Sequence, residues 1–273
     1  MSNNDQTSPS PEFIPLEEAA AMTSGTRVTF IPGIPALYSE ALKNICYAKG
    51  IPLIRALHPM MGIDEATGKD RQAPLYELTR QTSLPTMFHN DERPRNVWIE
   101  QLALADQIGA PDSPQLIPSD FEQRVEVFGL CAVVLAEDGF IWNMRLLGDS
   151  PLARKYGYGE EASAQAPGKM AEALGVIERR LAAQEARDSR YLVGDSVSAA
   201  DIYWATMSIA LVPPPPEIMP VTQENKGMLK YFARNAQIPA IAEVLTERIA
   251  AHQRYILTTY CETPAVLGGT PIE

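Results

Sequence analysis

Two hydroxyls, Tyr38 and Ser39, stand where the chain is expected to pass from strand to helix. Residues 27–31 are partly β-branched and alternate weakly, which predicts a strand. Pro32-Gly33-Ile34-Pro35 is a turn that cannot be helical. Residues 36–50 then place Leu37, Ala41, Ile45 and Ala48 on one helical face and stop at Gly50. At such a helix start the backbone N–H groups of Ala36 and Leu37 can stabilise an anion, and the two hydroxyls are the nearest side-chain donors. Against a C-x-x-C pattern the stretch reads Ala36-Leu37-Tyr38-Ser39, which excludes dithiol–disulfide chemistry. Cys46, Cys131 and Cys261 are odd in number and far apart, and His58, His89 and His252 are equally scattered. That spacing makes neither a disulfide framework nor a metal site, so no metal is expected.

The elements that would carry these residues follow from periodicity. Residues 51–57 form a second strand, making a βαβ unit with parallel strands and a right-handed crossover. A short helix over 74–79 is followed by strands over 82–88 and 96–99, close enough to pair as a hairpin, and then by a helix over 100–108. The proline-rich segment 110–118 reads as a linker. Helices are expected beyond it over 120–137, 140–147, 168–187, 199–211, 227–235 and 239–257, with Pro213 to Pro216 a stiff break. The helix at 199 has the best-marked start. Ser198 and Asp201 have capping-box spacing, and Val197 and Ile202 have staple spacing. The division is therefore a flexible tail over 1–25, an α/β domain over 26–109, a linker over 110–119 and an all-α domain over 120–273.

The chain has 34 acidic and 23 basic residues, a formal net charge of -11, which argues against nucleic-acid or anionic-membrane partners. No apolar run is long enough to span a bilayer, and the first ten residues lack the features of a signal peptide. With the unpaired cysteines, this suits a reducing cytoplasm.

The string Leu192-Val-Gly-Asp-Ser-Val-Ser-Ala-Ala-Asp-Ile202, together with Ser83-Leu-Pro-Thr-Met87 and Glu100-Gln-Leu-Ala-Leu104 in that order upstream, resembles cytosolic glutathione transferases. The chain is similar to a divergent, bacterial-type member over about residues 27 to 257. The resemblance implies a thioredoxin-like βαβαββα domain followed by an all-helical bundle, in which Ser198 and Asp201 cap a core helix.

It also implies a ligand and a reaction. Glutathione would be the co-substrate, its thiolate attacking a hydrophobic, electrophilic small molecule. Pro85 matches the family's cis-proline, so the N–H and C=O of Leu84 are expected to pair with the cysteinyl part of glutathione. Glu100 and Gln101 match the pair that holds the γ-glutamyl end, with Gln101 in place of the usual Ser. Arg80 is a candidate for the glycyl carboxylate, with Arg71 and Lys69 nearby. Ala36 falls where family members carry the Ser or Cys that activates the thiol, and the alternative Tyr position falls near Pro32. Ser39 and Tyr38 are then the catalytic candidates. Phe128, Cys131 and Trp142, with Val134, Leu135 and Arg145, would line the second-substrate site. A homodimer is expected. The alternative is a non-catalytic glutathione-transferase-like binding protein, because neither Ala36 nor Pro32 carries a hydroxyl.

Overall fold

The structure is a computed structural model and describes residues 11–270 and 272. Its single sheet has four strands in the order β1-β3-β2-β4, namely β1 (Phe13–Ile14), β2 (Thr26–Phe30), β3 (Leu53–Leu57) and β4 (Met87–His89). β1 and β2 flank β3 in parallel, and β4 runs antiparallel to β2. Helices α1 (Leu16–Ala21), α2 (Leu37–Ala48), α3 (Ala73–Thr79) and α4 (Trp98–Ile108) complete this half. All five residues of β2 are buried, as a central strand covered on both faces must be.

Two expectations at the sheet edges are corrected. Residues 11–25 are not a flexible tail. β1 pairs Phe13 with Arg55 and Ile14 with Ala56, and α1 buries Leu16 and Ala19. Arg27, 1% exposed, ties this segment down by donating to the carbonyls of Ala19, Met22 and Gly25. The rest of that expectation, residues 1–10, lies outside the described residues. The strand expected over 96–99 is also absent. The pairing shrinks to one bridge between Met87 and Arg95, and the chain turns helical at Trp98. Packing supplies the reason: the Trp98 ring sits 6.5 Å from Phe128 and 6.1 Å from Tyr203, which draws this residue into the core as a helix start.

No helix or strand lies between α4 and α5 (Phe121–Leu135), which Asp120 caps by accepting from Gln123 N–H at 2.9 Å. The helical half continues with α6 (Phe140–Arg145), α7 (Pro151–Lys155), α8 (Glu160–Glu185), α9 (Ala199–Met207, extended by a 3-10 turn over Ser208–Ala210), α10 (Lys226–Asn235), α11 (Pro239–Ala242) and α12 (Glu247–Tyr260). α7 went unforeseen, although Ser150 caps it and Pro151 occupies its first position. α8 begins eight residues earlier than the expected start at 168 and carries Pro167 inside it. The helix expected over 239–257 is two helices, separated at an extended Thr246.

α9 is buried along its whole length. At its start the fully buried Asp201 accepts from the Ser198 N–H at 2.8 Å, the Ser198 hydroxyl at 2.7 Å and the Leu192 N–H at 2.7 Å, and faces His252 Nε2 at 3.0 Å. A carboxylate with this many partners is affordable inside a core. The C-terminal segment folds back over the sheet half. Leu267 O accepts from the Gly33 N–H at 2.7 Å, and Glu262 accepts from Lys43 and Arg55 at 2.9 and 2.8 Å. Gly33 has φ +73, and a Cβ there would lie 2.9 Å from the Glu224 side chain, so this crossing requires glycine.

Candidate functional site

The C-terminal ends of β2 and β3, the start of α2 and the turn before β4 all open onto one cavity of about 600 Å³. One wall is backbone and polar. Ala36 is the N-cap of α2, and no side chain caps the first-turn N–H groups that follow it. Leu84 lies beside it with a cis bond to Pro85, as expected. Neither the N–H nor the C=O of Leu84 has a hydrogen-bond partner among the described residues. The opposite wall is apolar and comes from the helical half: Ile141 and Met144 on α6, Leu152 on α7, and Met228, Tyr231 and Phe232 on α10.

Polar groups close the space between the walls. Tyr156 donates to Ser83 Oγ at 2.8 Å and Lys155 to Thr82 Oγ1 at 2.8 Å. The Arg145 guanidinium stacks 4.1 Å from the Tyr156 ring centroid and 4.7 Å from that of Tyr38. His58, 8% exposed, lines the cavity with Nδ1 unpartnered among the described residues. Burial, reinforced by the Lys155 charge, pushes its pKa down to about 4, so it is a neutral imidazole at pH 7.

The sequence candidates separate on this geometry. Ala36, Leu84 and Tyr38 line the cavity, but Ser39 does not. Ser39 is 1% exposed and its Oγ has no partner among the described residues. The Tyr38 hydroxyl is already used, donating to Leu135 O at 2.5 Å, and burial raises its pKa to about 12 against the opposing charge of Arg145. Neither residue offers a free hydroxyl to a ligand in the cavity.

Glu100 and Gln101 do not line the cavity. They sit in the first turn of α4 rather than at its cap. Glu100 pairs with Arg93 at 2.8 Å, and Gln101, 2% exposed, donates to Pro85 O and Arg95 O at 3.0 Å each. Gln101 therefore braces the turn that presents Leu84. Arg80 caps α3 with φ 59 and packs its guanidinium over Tyr76, away from the cavity lining.

The second-substrate candidates are displaced too. Cys131 and Val134 are buried in the core and Phe128 packs on Trp98. Leu135 is buried and meets Tyr38 through its carbonyl. Trp142 lines a separate cavity of about 380 Å³ with Glu137, Asp138 and Glu161. One face of α5 is spent against α9, so α6 and α10 supply the apolar wall instead. Of that group only Arg145 lines the larger cavity. Burial raises the thiol pKa of Cys46 and Cys261 to about 12 and that of Cys131 as well, so none is a nucleophile at neutral pH. No group of three or more His, Cys, Asp or Glu is placed to hold a metal ion among the described residues.

Residues 141–239 match the family model described as glutathione S-transferase, C-terminal domain. The matched segment and the solved structures together show a glutathione S-transferase fold. Three solved structures illustrate the likeness. The β-etherase LigF from Sphingobium sp. strain SYK-6 is 17% identical, with a TM-score of 0.52 over 82% of this chain and 98% of its own. Ure2p in complex with glutathione is 12% identical, with a TM-score of 0.53 over 82% and 99%. A glutathione S-transferase from Methylobacillus flagellatus with glutathione bound is 14% identical, with a TM-score of 0.51 over 83% and 98%. At these identities the likeness is one of fold. No curated protein matches the chain significantly in sequence. The glutathione-transferase architecture accounts for the thioredoxin-like half, the helical half and the cavity between them. No helix is long and apolar enough to cross a membrane among the described residues.

Proposed function

We propose that this chain is a glutathione-dependent transferase that joins the glutathione sulfur to an apolar electrophile. The observation that carries this reading is the cavity itself. It sets the unpartnered edge of Leu84 across from an apolar wall, with the uncapped N-terminus of α2 between them. The Leu84 N–H and C=O can take the cysteinyl unit of glutathione as one further strand. The sulfur would then lie at the first turn of α2, whose N–H groups and dipole favour the thiolate over the thiol. The thiolate attacks the electrophilic carbon, the new S–C bond forms, and the leaving group departs with its electron pair. No side-chain hydroxyl takes part, since Ala36 occupies the position of the usual activator. Glu100, Gln101 and Arg80 are not assigned to glutathione in this reading.

A second reading, glutathione binding without catalysis, is favoured by one observation: the Tyr38 hydroxyl, beside the start of α2, donates to Leu135. Calorimetric titration with glutathione, with the thiolate absorbance near about 240 nm followed against pH, separates the two. The transferase reading expects binding with the thiol pKa pulled well below about 9. An unshifted thiol supports the second reading, and absence of binding removes both.

We further propose that the chain is cytoplasmic, consistent with three free cysteines, and that it is a homodimer. Phe121 and Val125, one turn apart on α5, are 78% and 72% exposed and offer an apolar contact face. Sedimentation velocity at micromolar concentration should give twice the 30.0 kDa chain mass. A monomer there ends the dimer proposal.

A further inference from the structure

Arg145 is a cation in the cavity wall with no anion to match it. It has no ion-pair or hydrogen-bond partner among the described residues, and its guanidinium carbon lies over two aromatic rings, those of Tyr38 and Tyr156. Stacking uses the faces of the fork and leaves its edge N–H groups for a planar acceptor. Lys155 lines the same cavity and, among the described residues, donates only to Thr82 Oγ1. The one carboxylate lining the cavity among the described residues, Asp149, is already bidentate with Arg154, at 2.7 and 2.6 Å. In a chain of net charge -11, two unmatched cations side by side in an apolar wall stand out. Burial holds the Lys155 ammonium below its usual range, with Tyr156 opposing that shift and the Arg145 charge adding to it. Their neighbours on α6 and α7 are Ile141, Met144 and Leu152, so an anion held here would be attached to an apolar body.

We infer that Arg145 and Lys155 form an anion clamp, and that the co-substrate of this cavity is an apolar molecule bearing one carboxylate-type group. The guanidinium edge takes the carboxylate in bidentate fashion, the ammonium adds a second charge-assisted bond, and the apolar body lies along Ile141, Met144 and Phe232. The inference rests on the proposed function only in taking the cavity as the ligand site and the Leu84 edge as the place of glutathione.

The test is calorimetry with two isosteric probes, 4-phenylbutanoate and the neutral 4-phenylbutanamide, each with and without saturating glutathione. The anion should bind about tenfold more tightly than the amide, and glutathione should leave that preference in place. Arg145→Met should cut the preference to about twofold while the amide affinity stays unchanged, which also shows that the variant is folded. Arg145→Met combined with Lys155→Met should abolish it. Equal binding of both probes, no binding of either, or a preference that survives the double substitution overturns the clamp. Competitive displacement of phenylbutanoate by glutathione overturns the co-substrate assignment and gives the clamp to a glutathione carboxylate. Failure of glutathione to bind, with the preference intact, sinks the transferase reading and leaves the clamp standing.

Discussion

At the level of single residues, the two hydroxyls nearest the helix start differ in their surroundings: Tyr38 is hydrogen-bonded and Ser39 is buried without a partner among the described residues. The Tyr38 hydroxyl links α2 to α5 through Leu135 O. Tyr38→Phe should therefore cost about 1 kcal/mol in urea unfolding and leave the pKa of bound glutathione unchanged. Ser39 Oγ is buried without a partner among the described residues, so Ser39→Ala removes an unsatisfied group. It should be neutral or stabilising by up to about 1 kcal/mol. A rise of the glutathione pKa in either variant would restore that residue as the activator. His58 gives a pH signature. Its pKa is about 4 in the folded chain against an ordinary 6.5, so the unfolded chain takes up a proton at higher pH than the folded one. Stability is then lost as pH falls from about 6.5 toward 4, by about 3 kcal/mol from this group. His58→Gln should flatten that limb of the stability–pH curve. An unchanged slope between pH 7 and 4.5 would mean that His58 is not held neutral.

At the level of elements, the turn that presents Leu84 is held by a residue first assigned to ligand binding. Gln101 donates to Pro85 O and Arg95 O from the first turn of α4. Gln101→Ala should weaken glutathione binding about tenfold while costing about 1–3 kcal/mol of stability, because the buried Pro85 carbonyl loses its donor, whereas Arg95 O keeps the Met87 N–H. Retained affinity at reduced stability would show that the turn keeps its shape unaided. The same element shows what sequence can and cannot convey. The helix itself was legible from periodicity. Its start was not, because Val97-Trp98-Ile99 has strand propensity, and only the packing of Trp98 against Phe128 and Tyr203 decides the matter. The capped start of α9 was legible because Ser198 and Asp201 interact locally. The polar cluster of Thr82, Ser83, Lys155 and Tyr156 was not, since it joins residues 73 positions apart. α7 left a local signal, Ser150-Pro151, that a closer reading of caps would have found. The apolar wall was expected on α5, but which face of a helix meets a cavity depends on what the neighbouring helices cover.

At the level of the whole molecule, the C-terminal segment binds the two halves together through charge as well as packing. Lys43, 2% exposed, sits between Glu40 at 2.6 Å and Glu262 at 2.9 Å, and Arg55 reaches Glu262 at 2.8 Å. Two cations and two anions balance in this cluster, which joins α2 and β3 to the segment that follows α12. Burial alone would lower the Lys43 pKa, but the two carboxylates outweigh it and hold the ammonium charged. Lys43→Met leaves Glu40 buried without a partner, while Glu262 keeps Arg55 and the Val266 N–H. Removing one member of such a cluster should cost about 3–5 kcal/mol at pH 7. The pH dependence carries the sign. Burial already raises the Glu40 pKa, and loss of Lys43 removes the charge that opposes this. In the variant, then, Glu40 binds its proton more readily when folded than when unfolded, and the deficit should narrow as pH falls toward 5. Urea titrations of both proteins at pH 7 and pH 5 measure this directly. A deficit independent of pH would assign the loss to packing of the lysine stem, and no deficit would mean that the C-terminal segment is held by its apolar contacts and its other hydrogen bonds, among them Gly33–Leu267 and Ala265–Ile218.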